Sequence, residues 1–220
     1  ELEGLDMPMI APDVETARKV AEAYRPVLAE AFKQRYKGAQ LLAVVPYPSQ
    51  MVFCNAEIDG LPDLKGKKVR ASGRTTAEFL QALGAEGITL NFSEVPGALQ
   101  RGVIDCAVTG SLSGYSSGWH EVSTHLYPLP VGGWDHVVTA MNGKKWNSLS
   151  EETQQWLTAE IKENYEDPVW ASAVEETREG IACLTGNGEC SRGEAGDMVL
   201  VEATDNDFTE ASRHLEETLL

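Results

Sequence analysis

The sequence predicts an α/β fold in which a mostly parallel sheet carries helices on its faces. Short apolar runs that suit buried strands alternate with longer segments whose apolar residues recur at helical spacing. Glycine and proline stand at many of the boundaries between these segments. With 220 residues, the chain is long enough to form one large domain or two smaller lobes.

The predicted elements follow in a regular order. Asp13 is expected to cap a first long helix, which Pro26 should kink or split. Ser93 and Ser150 are expected to cap two later helices, and Pro168 should kink the second of these. Further helices are predicted at about 75–83 and 208–219, and strands at 41–45, 50–55, 88–91, 103–108, 126–131, 136–141 and 198–203. Residues 61–70 are predicted to form a turn that leads into a short strand.

The net charge of the chain is -16, from 18 Lys and Arg against 34 Asp and Glu. A surface that acidic repels phosphate backbones and anionic lipid headgroups, which excludes nucleic acid and membrane surfaces as expected partners. No stretch approaches the roughly 20 apolar residues of a membrane span, so direct membrane insertion is not expected. An anionic ligand would require local positive charge at its site. Such a charge can outweigh the negative surface, because salt screens distant charges over about 8–10 Å.

The opening residues Glu1 to Gly4 look like the middle of a protein, and no signal peptide is recognisable; we expect a mature fragment without its N-terminal part. Cys183 and Cys190 flank a flexible segment and are predicted to form a disulfide, which implies an oxidising compartment. The alternative is two unrelated thiols.

The other two cysteines, Cys54 and Cys106, lie in apolar, strand-like runs. They are expected to be buried thiols, although a second bridge is possible. A zinc site is not expected, because no Cys-x-x-Cys motif occurs and the four histidines are scattered.

Two polar residues, Arg70 and Thr109, are placed at the carboxyl ends of predicted strands. In parallel α/β sheets these ends form the ligand crevice, so the two side chains should lie close together. The alternative for Arg70 is an exposed strand-end residue in a basic run with Lys67 and Lys68. The Gly- and Ser-rich stretch at 110–118 lacks the Gly-Lys-Ser/Thr ending of a phosphate-binding loop.

An ordered set of short blocks resembles the solute-binding proteins of TRAP (tripartite ATP-independent periplasmic) transporters, the C4-dicarboxylate-binding-like family. One block is Asp-Leu-Lys-Gly-Lys-Lys-Val-Arg at 63–70. The resemblance is strongest at Ser-Glu-Val, 93–95, and Ala-Leu-Gln-Arg-Gly-Val-Ile-Asp, 98–105, and its specificity lies in the ordered set of blocks. Supporting blocks lie at 5–8, 83–85, 119–122, 142 and 149–152. The resemblance covers about residues 4–180.

The resemblance implies a two-lobed periplasmic-binding-protein fold of the Venus-flytrap type, with mixed sheets flanked by helices, hinge strands and a long spanning helix. Residues 1–48 and 132–170 would form lobe I, without its N-terminal part, and residues 49–131 and 171–220 would form lobe II. The implied function is periplasmic capture of a small organic carboxylate and its delivery to small and large membrane subunits. No catalysis and no cofactor are expected.

Arg70 matches the family's hallmark arginine, which forms a paired salt bridge with a carboxylate. A planar guanidinium suits the two oxygens of that group. Many members carry a second arginine near the position of Met51, which here shares a strand face with Phe53, and many carry Asn in place of Thr109. The predicted ligand is therefore a monocarboxylate with an apolar or aromatic portion.

Six further residues complete the predicted binding site around Arg70. Hydroxyls of Thr109 and Ser111 could donate to the carboxylate, or could simply belong to a turn. Trp134 could cover the ligand from the other lobe, or could be a core residue. Asp135 is interpreted as a polar contact or hinge residue. One of Met51 and Phe53 is expected to line the pocket, the alternative being that both are core residues.

Two other classes of function remain open at this point. The same fold serves as a ligand-sensing domain of membrane receptors, and fold alone does not decide between the two roles. An α/β enzyme acting on a small organic acid is the less favoured alternative. The Gly-x-Ser-x-Gly string at 114–118 lies within a Gly- and Ser-rich stretch, not directly after a predicted strand as a nucleophile elbow would. The sequence contains no His-Glu-x-x-His motif and no persuasive pair of carboxylates.

Overall fold

The computed structural model describes residues 3–219, and the side chains of residues 4–217. The α-helices are α1 (Val14–Arg35), α2 (Arg74–Ala82), α3 (Val95–Gln100), α4 (Ser111–Ser116), α5 (Gly143–Trp146), α6 (Glu151–Ile161), α7 (Asp167–Thr185) and α8 (Asp205–Leu219). The strands are β1 (Gln40–Val45), β2 (Gln50–Cys54), β3 (Lys68–Ala71), β4 (Glu86–Thr89), β5 (Cys106–Gly110), β6 (His125–Tyr127), β7 (Val137–Met141) and β8 (Val199–Leu200).

Two sheets organise the described part of the chain. The larger has six strands in the order β4-β3-β5-β2-β6-β8, and the smaller pairs β1 with β7 in antiparallel fashion. In the larger sheet β3 runs parallel to β4 and β5, and β6 runs parallel to β8. The expectation of a mostly parallel sheet is wrong at its centre, because β2 lies antiparallel to both β5 and β6. The predicted α/β class, with mixed sheets flanked by helices, is confirmed.

Apolar side chains cover both faces of the six-stranded sheet. Along β2, Val52 and Cys54 belong to one core, while Met51 and Phe53 belong to a second core on the opposite face. This alternation is the two-residue period of a strand that is buried on both sides. A third core lies between α1 and the small sheet and includes Leu28, Val44, Trp134 and Trp170.

The first helix begins as predicted, because the Asp13 carboxylate accepts a hydrogen bond from the Thr16 N–H at 2.8 Å. The predicted split at Pro26 is wrong, since one helix runs from Val14 to Arg35. Buried residues lie on both sides of the proline, Ala17 and Ala21 before it and Leu28, Ala31 and Phe32 after it. Their packing holds the two halves in one helix despite the missing N–H.

Several boundaries differ from prediction by a few residues. The strand predicted at 126–131 ends at Tyr127, because Pro128 and Pro130 have no N–H to donate to the ladder. Ser93 does not cap a helix; it lies within the short 3-10 turn Phe92–Glu94 that precedes α3. The last strand is limited to Val199–Leu200, and the final helix begins earlier, at Asp205.

The long helical region interrupts its α-helical pattern just before Pro168. A π-helical segment, Lys162–Glu166, joins α6 to α7, and the proline occupies the first turn of α7, where it is tolerated. Helix α7 then extends from the third core at Trp170 to the second core at Leu184. Gly180 permits its close contact with α4, because a Cβ at that position would lie 2.4 Å from the Ser111 Oγ.

All four cysteines are paired. The predicted disulfide between Cys183 and Cys190 is confirmed, and a second disulfide joins Cys54 to Cys106, which lie opposite each other on β2 and β5. The expectation of two buried free thiols is therefore wrong, because strand register brings these sulfurs together. Among the described residues no helix is long and apolar enough to span a membrane, and no group of three His, Cys, Asp or Glu side chains could hold a metal ion.

Candidate ligand-binding site

The Arg70 side chain is fixed near the carboxyl end of β3, between the parallel neighbours β4 and β5. It is 5% exposed, its Nε donates to the Leu90 carbonyl and its Nη1 donates to the Val108 carbonyl, both at 2.9 Å. No hydrogen-bond partner for Nη2 is found within residues 3–219. Burial lowers the pKa of this guanidinium from its ordinary value, and the negative charge of Asp135 partly offsets that effect.

Arg70 lines a cleft of about 460 Å³. Its lining is polar, with one large apolar ring and two charged groups. The lining residues are Tyr47, Gln50, Arg70, Ser72, Phe92, Thr109, Ser113, Ser116, Ser117 and Asp135. Three predicted site residues, Arg70, Thr109 and Asp135, are thus brought together. The cleft thus lies at the carboxyl ends of the strands, where ligand crevices form in α/β sheets.

Two of the other predicted residues, Met51 and Phe53, lie within the second core. They are 1% and 0% exposed, on the same sheet face as Arg70 and Thr109. The structure does not bring either residue into the lining of the cleft. The sequence left open whether one of them lines the pocket or both are core residues. Their positions match the second interpretation, because helices cover this part of the sheet face.

Ser111 and Trp134 are also absent from the lining of the cleft. Ser111 is fully buried at the start of α4, and its Oγ donates to the Thr177 carbonyl of α7 at 3.2 Å. Trp134 is 5% exposed within the third core, and its indole N–H donates to the Ala11 carbonyl at 2.8 Å. A buried indole needs such a partner for its N–H. The structure therefore gives both side chains packing roles.

Phe92 is the cleft residue whose importance sequence reasoning missed. Its ring is 39% exposed and lies beneath the Arg70 guanidinium, with 5.9 Å between the guanidinium carbon and the ring centroid. It stacks on Trp119, whose own ring meets Phe53 edge to face. The available signal was an aromatic residue directly after a predicted strand, at the edge of the sheet where ligands bind.

Asp135 adopts a left-handed backbone conformation, with φ of 46°. Both neighbours are held: the Trp134 carbonyl accepts from the Tyr47 N–H at 2.9 Å, and the His136 N–H donates to Asp6 Oδ1 at 2.9 Å. Asp135 is an exposed residue, but the surrounding protein reduces the hydration of its carboxylate, which raises its pKa. The nearby Asp6 charge raises this pKa further, whereas Arg70 lowers it.

Two of the other cavities among the described residues are larger than this cleft. One of about 710 Å³ shares Tyr47, Ser113 and Ser116 with the cleft and extends along α4. Another, of about 550 Å³, lies beside the disulfide loop at 183–190 and contains none of the predicted binding residues. The cleft at Arg70 is thus the place where the predicted chemistry and the observed geometry coincide.

Comparison with known families decides the class of protein. Residues 1–188 match the DctP family, described as bacterial extracellular solute-binding protein, family 7. The chain belongs to this family. The resemblance to TRAP solute-binding proteins is confirmed, and the DctP family consists of transport receptors rather than enzymes.

Individual DctP relatives extend the comparison. The ectoine-binding periplasmic protein TeaA of Halomonas elongata is 29% identical over 151 residues, which is 68% of this chain and 42% of TeaA. DctP6 of Bordetella pertussis, an extracytoplasmic solute receptor solved with pyroglutamic acid, is 27% identical with a TM-score of 0.78, covering 99% of this chain and 68% of its own.

A TRAP periplasmic solute-binding protein from Desulfovibrio salexigens, solved with orotic acid, shares the fold. It is 21% identical, with a TM-score of 0.82, over 99% of this chain and 67% of that one. The chain spans less than half the length of the curated DctP relatives that it matches.

Proposed function

We propose that this chain is the solute receptor of a TRAP transporter and binds a small organic monocarboxylate at Arg70. The observation that carries the proposal is a buried guanidinium, held by two main-chain carbonyls, in the wall of a cleft. Carbonyl oxygens orient the arginine without neutralising its charge, because they are uncharged. The group is therefore positioned in advance to form two parallel hydrogen bonds with a carboxylate.

The remaining lining supports a ligand that is part polar and part apolar. Phe92 offers one exposed aromatic face, and Thr109, Ser113 and Ser116 offer hydroxyl groups. Ectoine, pyroglutamic acid and orotic acid, named for the relatives, each carry a carboxyl group on a small ring. A compact acid of that kind suits a cleft of about 460 Å³.

The proposed mechanism is closure of two lobes over the ligand. The proposed lobe I, residues 1–48 and 132–170, contains the small sheet, and the proposed lobe II, residues 49–131 and 171–220, contains the six-stranded sheet. Helix α7 crosses between them. A ligand that contacts both lobes would shift the population toward the closed form. That form would deliver the solute to the small and large membrane subunits, from a periplasmic location that suits two disulfides.

Calorimetric titration of the full-length gene product with small organic acids tests this proposal. An acid that binds the wild-type protein should bind Arg70→Ala at least about 100-fold more weakly, because a charged hydrogen-bonded pair is lost. Arg70→Lys keeps the charge but not the planar group, so it should be weaker by at least about tenfold.

Arg101→Ala is the matched control, since Arg101 is exposed and does not line the cleft. Circular dichroism should show that all three variants remain folded. Near wild-type affinity in folded Arg70→Ala would overturn the proposed role.

A further inference from the structure

We infer that the ligand also carries a nitrogen donor, an N–H or an ammonium group, and that the Asp135 carboxylate accepts a hydrogen bond from it. The inference rests on the proposed function, because it assumes that Arg70 binds the carboxylate of the same molecule. It narrows the substrate class from small monocarboxylates in general to amino acids, cyclic amides and related acids that contain such a donor.

The backbone on both sides of Asp135 is held in place by hydrogen bonds. Its neighbours are fixed by hydrogen bonds from Tyr47 to the Trp134 carbonyl and from His136 to Asp6, and its own backbone is left-handed. The His136 ring adds a second contact to the same Asp6 oxygen, at 2.7 Å. Within residues 3–219 no hydrogen bond to the Asp135 carboxylate is formed. The loop therefore holds an acceptor at the cleft while leaving its oxygens available.

The cleft contains two groups of opposite charge. Of the described residues that line this cleft, Arg70 and Asp135 are the charged ones, and neither takes part in an ion pair. Each nevertheless lies close enough to influence the pKa of the other. Because the two charges share a cleft without pairing with each other, they complement a ligand of opposite polarity. Its carboxylate would face Arg70 and its donor nitrogen would face Asp135.

The same charges disfavour other acids. A dicarboxylate would place one negative group near Asp135, in a chain whose net charge is already -16. An acid with a hydrocarbon ring would cover part of the Asp135 carboxylate without giving it a hydrogen bond, which is costly for a desolvated charge. Asp135 would therefore act in specificity, whereas Arg70 would supply most of the affinity.

Matched ligand pairs test the inference by calorimetry on the full-length gene product. L-Pyroglutamate and 5-oxotetrahydrofuran-2-carboxylate differ by a ring N–H replaced with oxygen; L-proline and cyclopentanecarboxylate differ by a ring nitrogen replaced with carbon. The wild-type protein should prefer the nitrogen-bearing member of at least one pair by about tenfold or more. Succinate should bind more weakly than either preferred compound.

Asp135→Asn should reduce this preference to less than about threefold, because an uncharged amide recognises the donor nitrogen less strongly. Asparagine also tolerates the left-handed conformation, so the variant should fold. Asp197→Asn is the control: Asp197 is exposed and outside the cleft, and its loss removes the same charge. This variant should keep the wild-type preference.

The outcomes separate the two proposals. Binding of nitrogen-free acids as tight as or tighter than their partners, still dependent on Arg70, overturns the role of Asp135 and leaves the proposed function intact. An undiminished nitrogen preference in Asp135→Asn also overturns it. Failure of every acid to bind the wild-type protein would count against both.

Discussion

The Arg70 guanidinium lies over the Phe92 ring, 5.9 Å from carbon to centroid, and that ring stacks on Trp119 with 5.1 Å between centroids. A cation over an aromatic face is stabilised by the ring quadrupole, most strongly where water is excluded. Phe92 thus supports a buried charge from below, while the Leu90 and Val108 carbonyls hold its edge.

Replacing the ring should therefore weaken ligand binding. Phe92→Leu is expected to lower the affinity for a bound acid by about 3- to 10-fold, because the cation–π contribution and the flat apolar surface are both lost. Calorimetry with an acid that binds the wild-type protein measures the change. Tyr36→Leu is the control, since Tyr36 is an exposed aromatic that stacks on Phe32 away from the cleft. Equal affinities for wild-type and Phe92→Leu proteins would contradict the expectation.

Asp135 should reduce the stability of the folded protein at neutral pH. Its folded-state pKa is raised, so the folded state holds this proton more tightly than the unfolded state does. Stability therefore falls as pH rises through the interval between the two pKa values, and the penalty remains at higher pH. Asp135→Asn should be more stable near neutrality by less than about 1 kcal/mol, because solvent screens part of the charge.

Thermal unfolding of wild-type and Asp135→Asn proteins across a pH series measures this effect. The stability difference should be largest near neutral pH and should disappear under acidic conditions, where Asp135 is protonated in both states. Asp197→Asn provides the control for a change in net charge. A pH-independent difference would show that backbone conformation, rather than ionisation, is responsible.

The buried Glu166 carboxylate ties the π-helical segment to α1 and β1. It accepts hydrogen bonds from Arg25 at 2.5 Å and from the Val44 N–H at 3.0 Å, and its side chain is 7% exposed. Glu166→Ala should reduce the free energy of unfolding by about 2–4 kcal/mol, since it leaves the partly buried Arg25 guanidinium without its counter-charge and the Val44 amide without its acceptor.

Urea denaturation measures the cost of Glu166→Ala. Glu22→Ala removes an exposed partner of Arg18 and should change stability by no more than about 0.5 kcal/mol. Similar losses in the two variants would show that Glu166 is no more important than a surface ion pair.

The two disulfides should contribute unequally. Cys54–Cys106 closes a separation of 52 residues and Cys183–Cys190 one of 7. The chain-entropy relation predicts losses of about 4 and about 2.5 kcal/mol when each pair is replaced by alanine. Urea denaturation of the two double variants measures these costs, and a larger loss for the Cys183–Cys190 pair would contradict the ranking.

The two disulfides should also differ in how readily a reductant opens them. Cys54 and Cys106 are fully buried, whereas Cys190 is partly exposed. Mild reductant followed by thiol labelling and mass spectrometry should therefore detect opening of Cys183–Cys190 first. Earlier labelling of Cys54 would run against this expectation.

Local pattern was sufficient for much of the fold. Helical spacing located α1, including its cap at Asp13, and a seven-residue separation made the Cys183–Cys190 bridge predictable. The ordered blocks around Arg70 were sufficient to recognise the family. These features depend on residues that are close together in the chain, so a single sequence contains the information.

Tertiary packing decided the composition of the cleft. Trp134 and Ser111 were candidates by position, but hydrogen bonds to Ala11 and Thr177 direct them into packing contacts. Phe92 enters the cleft lining because Trp119, distant in sequence, supports its ring. The direction of a side chain depends on partners from other elements, and neither periodicity nor spacing encodes those partners. The sequence alone predicted most of the elements and placed Arg70 at the end of a strand, whereas only the fold determined which neighbours surround it.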